Sequence, residues 1–271
     1  MEKSICCFID ILGYKEIICN STDEENEKNI EKLKSVYRYF ENLNNGYQDK
    51  YRNYKVKTFS DNIFIEVELK EHSLFSLGVS NEGTIYHILS ELSSFQNIMF
   101  AEYGFFIRGS IVYGEIYSDD NIIYGKGIVE AVEGEKKAIF PRIIISEDLK
   151  QIIDENRKSY GGKEYWGDKT LIKLDDYSGY FLNYLDNMFY QSLEEVLEIH
   201  KKLIDENLKK YSQLLNNYGN DEENYKKIQK VLKKYEWLKD YHNFYIKEYG
   251  VPNRYAEDDY REYDRDDLLI K

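Results

Sequence analysis

The chain has 271 residues, 50 of them acidic against 37 basic, giving a formal charge of -13, and only three cysteines. That length can bury a sizeable core, whereas the acidic balance argues against a general duplex nucleic-acid surface, whose affinity rests on clustered Lys and Arg. Cys6, Cys7 and Cys19 suggest neither a disulfide framework nor a zinc site, and with no apolar run near the roughly 18 residues of a membrane span and no signal peptide the expectation is a cytoplasmic protein.

SICCFIDILG, residues 4–13, is a β-branched and aromatic run closed by Gly13, which predicts a central strand entering a turn. A helix follows over 23–46: it opens on Asp23, Glu24 and Glu25, then places Ile30, Leu33, Val36, Tyr37 and Phe40 at helical spacing. YKVKTF (54–59) and NIFIEVEL (62–69) alternate around Ser60-Asp61, which predicts a hairpin with Asp61 at its tip. A second amphipathic helix is expected from about Thr84 to Glu102, capped by Gly104. FFIRGSIVYGEIYS reads as a strand pair, residues 126–138 as a short helix and FPRIIIS as a further strand. The order β-α-β-β-α-β with additions is that of an α+β, ferredoxin-like palm, here assigned to residues 1–155. Residues 156–271 read as mainly helical: two long helices between 181 and 250, broken at 216–220, fold back as a hairpin, and an acidic tail covers 255–267.

Asp10 sits near the end of an apolar strand, where an unpaired carboxylate is costly to bury, so it needs a partner. In a palm, the hairpin after the first helix lies beside the first strand, which brings Asp61 towards Asp10. Two carboxylates on adjacent strand ends suit Mg2+ or Mn2+, hard cations that accept oxygen ligands from protein and phosphate together. Taken singly, Asp10 is also a satisfied strand-end residue and Asp61 a turn former.

FIDILGYKEI resembles the first metal motif of the class III adenylate and guanylate cyclases, with Asp10, Gly13 and Tyr14 at its Asp, Gly and aromatic. VKTFSDNIFIEV (56–67) resembles the second, with Asp61 on the second metal Asp and Ser60 where that family has Gly. RGSIVYG (108–114) is similar to the next strand, and YGKGIVEAVEGE (124–135) to the helix after it. The resemblance covers residues 5–148 and implies a homodimeric fold in which Asp10, Asp61 and the Ile11 main chain hold the metals around a nucleoside triphosphate. It further implies that Lys57 and Ile123 occupy the base-reading positions, serving the site built on the other chain.

Three positions depart from that pattern. Val129 and Glu133 stand where the family has its transition-state Asn and Arg, and Ile123 stands where adenylate cyclases have Asp. An acidic side chain does not stabilise developing phosphate charge, so turnover requires another cation, and Arg108, Lys126, Lys136 and Arg142 are the candidates. Such divergence is similar to that of the Pycsar pyrimidine cyclases of anti-phage defence, whose cyclic nucleotide acts on a downstream effector protein. Two other readings stay open: a nucleotide-binding sensor or scaffold without turnover, and a palm-type synthase of a cyclic di- or oligonucleotide.

The remaining motifs point to structure. Gly125-Lys126-Gly127 lacks the third glycine of a dinucleotide fingerprint and reads as a tight helix start. The four histidines show no ligand spacing, and Trp237, Tyr241 and Phe244 recur at the spacing of a packed helix face.

Overall fold

The computed structural model describes residues 2–45, 54–68, 81–157, 163, 167–174, 179–186, 193–217, 222–249 and 265–271. Contacts divide the chain into two compact units: residues 1–96 with 105–183, and residues 97–104 with 184–271. The first unit therefore extends past residue 155, because two short strands beyond that point join its sheet.

Strand β1 (Glu2–Ile11) is followed by a short helix α1 (Tyr14–Asn20) and the long helix α2 (Asp23–Asn45). The α2 start is a capping box: Glu25 N–H donates to Thr22 Oγ1 while the Glu25 carboxylate accepts from Thr22 N–H at 2.7 Å. Strands β2 (Tyr54–Phe59) and β3 (Asn62–Glu68) form the expected hairpin, and helix α3 (Asn81–Ala101) precedes β4 (Ile107–Ser118). Where a strand pair was expected over FFIRGSIVYGEIYS, β4 is one 12-residue strand, and only Ile123–Tyr124 (β5) returns against its end. Helix α4 (Lys126–Ala138), β6 (Ile143–Ile145), α5 (Glu147–Arg157), α6 (Gly167–Thr170), β7 (Leu171–Ile172) and β8 (Phe181–Leu182) complete the unit.

The sheet order is β2-β3-β1-β4-β6-β8-β7, with β5 on β4. Its first four strands pair antiparallel throughout. That order and these directions are those of the ferredoxin-like βαββαβ palm, so the α+β palm class holds. Period-two alternation separates the faces of β1. Ile5, Cys7, Ile9 and Ile11 are buried on one face, which continues through Val67 to Tyr54; there Phe40 of α2 packs on Tyr54 and Phe95, with centroids 5.7 and 5.1 Å away. Ser4, Cys6, Phe8 and Asp10 share the opposite face, where α4 lies: Ala131 packs with Cys6, Phe64, Val112 and Ile116. Only a small-residue helix face fits there. A Cβ on Gly114 would stand 2.9 Å from Gly127 Cα, so strand and helix backbones meet directly.

In the second unit, α7 (Leu193–Asn217) and α8 (Glu222–Tyr249) form the expected hairpin, with Tyr211 and Tyr235 stacked at 5.5 Å and Trp237 on Tyr241 at 5.7 Å. The expected acidic tail lies largely outside the described residues. Its end is docked: Arg265–Leu268 forms α9, Leu268 and Ile270 are buried, and the Asn243 amide accepts from Ile270 N–H and donates to Ile270 C=O, each at 2.9 Å. No described helix is long and apolar enough to cross a membrane.

Candidate active site

The candidate residues gather at the end of the sheet where β1 stops and the β2–β3 hairpin turns. Asp10 faces Asn62 of β3 on one side and Arg108 of β4 on the other. The next N–H, of Ile11, donates to the Asp61 carbonyl at 3.0 Å, so the ladder itself ties the two aspartates' strand ends together. Asp61 Oδ1 accepts from Asn62 Nδ2 at 3.0 Å. Ser60, before it, has φ 58°, the left-handed conformation that favours glycine. On the α2 side the hairpin is held by Tyr37, whose hydroxyl accepts from Thr58 N–H at 2.9 Å.

Gly13 also turns left-handed, with φ 75°, and leads into Tyr14, the first residue of α1. Partial burial and the neighbouring Asp61 carboxylate both raise the Tyr14 phenol, which puts the two side chains in one electrostatic environment. Beside Tyr14 an apolar cavity of about 200 Å3 is lined by Ile18, Ile30, Leu33 and Phe105. Asn26 and Asn29 also line it, and no charged side chain does.

Arg108 Nε donates to Asp10 Oδ2 at 3.0 Å and lies 2.6 Å from Glu135 Oε1. Glu135 was not among the residues expected here. Its signal was available: on α4 the buried positions are Gly127, Ala131, Glu135 and Ala138, and one carboxylate on a face of small apolar residues requires a cation. Lys126 is exposed at the first position of α4. Arg142 corrects the expectation of a phosphate contact, since it is fully buried, donates from Nε to the Ala138 carbonyl at 3.3 Å and lies over the Phe140 and Phe181 rings. A guanidinium enclosed in that way braces the loop before β6 and has no route to a solvent-facing ligand.

Lys57, on β2, and Ile123, on β5, meet the β4–β5 turn. Lys57 Nζ donates to the Asp119 carbonyl. The Asp119 side chain closes the turn by accepting from Asn121 and Ile122 N–H, each at 2.9 Å, and from the Tyr117 hydroxyl at 2.8 Å. Those backbone and hydroxyl donors hold the Asp119 carboxyl below the usual range. Ile123 packs its side chain onto the Cys6–Phe64–Val112 cluster.

The site therefore has two carboxylates with main-chain oxygens beside them, and a flanking guanidinium. This donor set suits one or two hard divalent cations completed by ligand oxygens; it does not suit a softer metal, since no His or Cys joins it. Among the described residues no cluster of three or more His, Cys, Asp or Glu side chains forms a self-sufficient metal cage. Burial, with Glu66 and Glu130 adding, pushes the Cys6 thiol up to about 12, and burial raises Cys7 as well, so neither strand cysteine is a ready thiolate.

No protein-family profile matches the chain, and no curated protein matches it. Among solved structures, the chain is similar to a bacterial light-regulated adenylyl cyclase at 17% identity and a TM-score of 0.36, the match covering 74% of this chain and 57% of that one. The chain thus spans little more than half the length of that protein.

Proposed function

We propose that the palm unit is a divergent nucleotide cyclase, which converts a nucleoside triphosphate into a 3',5'-cyclic mononucleotide and pyrophosphate. The observation that carries this reading is the hydrogen bond from Ile11 N–H to the Asp61 carbonyl, which brings the strand ends bearing Asp10 and Asp61 side by side. Asp10, Asp61 and the main-chain oxygen of Ile11 would hold Mg2+ or Mn2+, which when bound neutralises the triphosphate and acidifies the ribose hydroxyl. Gly13 and Tyr14 border the space for the phosphates. The ribose 3'-oxygen attacks the α-phosphorus, the bond from that phosphorus to the bridging oxygen breaks to release pyrophosphate, and Arg108, in contact with Asp10, is the cation beside the carboxylates that would offset the developing charge.

In the cyclases this chain resembles, the positions of Lys57 and Ile123 serve the site on the other chain, so a complete pocket would need a homodimer. The palm carries exposed apolar side chains suited to that contact: Phe59 is 83% exposed and Tyr124 66%.

A sensor without turnover is the second reading, favoured by Val129 and Glu133, which are both exposed on α4 where cyclases present Asn and Arg. The deciding experiment incubates the protein with ATP, GTP, CTP and UTP and Mn2+ and identifies products by mass spectrometry. A cyclic mononucleotide supports the cyclase, a linked dinucleotide supports a palm-type synthase, and unchanged nucleotide with measurable binding supports the sensor. Light scattering tests the shared site: a mass near 32 kDa, unchanged by nucleotide and Mn2+, would sink it. An anti-phage role, acting through a cyclic-nucleotide effector protein, belongs to the same proposal and is tested by phage challenge of cells carrying the Asp10→Asn variant.

A further inference from the structure

We propose that Arg108 is a resident counter-ion of the carboxylate site, which passes its Nε–H from Asp10 to Glu135 when a divalent cation binds Asp10. The proposal rests on the two-aspartate metal reading above and adds a residue that reading lacks.

Arg108 stands directly opposite Asp10 in the β1–β4 ladder, so their side chains leave the same face of the sheet. Its Nε is 3.0 Å from Asp10 Oδ2 and 2.6 Å from Glu135 Oε1. Nε carries a single hydrogen, which makes a directed bond to one carboxylate at a time. In this structure it is directed at Asp10, and the contact with Glu135 is ionic. Glu135 is 5% exposed on the face of α4 that packs on the sheet, so it holds the guanidinium in place whichever partner takes the N–H.

A cation at Asp10 competes with Arg108 for the same carboxylate and repels the guanidinium. Without Glu135 the guanidinium would answer to Asp10 alone and oppose the metal. With Glu135 beside it, a short swing of one N–H relieves the repulsion while the positive charge stays next to the phosphates. Glu135 is thus a positioning residue acting through Arg108, and it makes α4 responsive to the state of Asp10.

The two side chains consequently have opposite effects on cation affinity. The test is an Mn2+ titration of the full chain followed by electron paramagnetic resonance, without nucleotide, with melting temperature measured for each variant. Arg108→Gln is expected to tighten Mn2+ on the order of tenfold, and Glu135→Gln to weaken it by a comparable factor. Should Arg108→Gln leave Glu135 too poorly compensated to fold, Arg108→Gln/Glu135→Gln replaces the ion pair with two amides and is also expected to bind Mn2+ more tightly than wild type. Asp10→Asn abolishes binding. If Asp10→Asn abolishes binding but the Arg108 and Glu135 variants stay within about twofold of wild type, or both shift the same way, the counter-ion role is overturned while the metal site stands. If no variant binds Mn2+, or Asp10→Asn binds like wild type, the metal reading itself is overturned and this proposal falls with it.

Discussion

Lowering the pH from about 7.5 to about 5 is expected to destabilise the helical unit through one pair of buried histidines. His242 Nε2 faces the Leu268 carbonyl at 2.9 Å, which only accepts, so that nitrogen carries the proton and Nδ1 of a neutral ring accepts. His200 Nδ1 lies 3.0 Å from His242 Nδ1 and must therefore donate, leaving His200 Nε2 to accept from the Tyr184 hydroxyl at 2.9 Å. The chain of bonds runs in one direction and has no place for a second proton on either ring. Burial pushes His242 down to about 4 from an ordinary 6.5, and burial together with His242 pushes His200 well below 6.5. Lys201 and Asp205 act on His242 in opposite senses, and the Tyr184 and Tyr241 phenols, raised by burial, stay neutral throughout.

The sign follows from linkage. In the unfolded chain both imidazoles take up a proton near 6.5, in the folded chain neither does until well below it, so the stabilisation is complete above that value and is lost as the pH falls. By about pH 5 each histidine costs about 2 kcal/mol and the pair about 4, against a total stability of roughly 5–15 kcal/mol for a domain. The assay is urea unfolding at the two pH values, followed by helical circular dichroism, to which α7 and α8, the two longest described helices, contribute. His242→Gln keeps a donor for Leu268 and removes one titration, so it should roughly halve the pH dependence. A stability that changes by less than about 1 kcal/mol between the two conditions, or a variant with the full slope, would refute the argument.

Asp10→Asn and Asp61→Asn are each expected to lower metal-dependent nucleotide binding or turnover by about a hundredfold or more while leaving the thermal midpoint within a few degrees, as titration calorimetry and a melting curve will show. Ser60→Gly is expected to stabilise the palm by about 1 kcal/mol, because it relieves the left-handed φ of 58°; an unchanged or lower urea midpoint would contradict it. Gly134→Ala acts in the opposite direction. Its Cβ would lie 2.4 Å from Ser110 Oγ, where that hydroxyl donates to the Ala131 carbonyl, so α4 must shift and a loss of about 1–3 kcal/mol in denaturant unfolding is expected.

Much of the fold was legible in local pattern. The β-branched and aromatic run SICCFIDILG identified β1 as a central strand entering a turn, because strand preference is a property of the segment itself. The two-residue turn at Ser60-Asp61 marked the hairpin, and the Gly125–Gly127 pair the start of α4, since turn chemistry is also local. Beyond that, the outcome depended on which distant segments meet. Gly109 and Gly114 resemble turn residues in sequence, yet they lie inside one strand because Phe8 and Gly127 approach too closely for a Cβ. Arg142, which the sequence left between a phosphate contact and a salt bridge, is fully buried, and the compact unit that holds the sheet runs on to 183 because β7 and β8 join it. The C-terminal end, which composition alone made a tail, is docked by His242 and Asn243. At the candidate site the sequence paired Asp10 with Asp61 and named Arg108 as a candidate cation, but which carboxylates the guanidinium contacts follows from strand register and from the face of α4 that meets the sheet. Periodicity is a property of a segment; burial and charge pairing are properties of two segments separated by many residues, and only the assembled chain decides them.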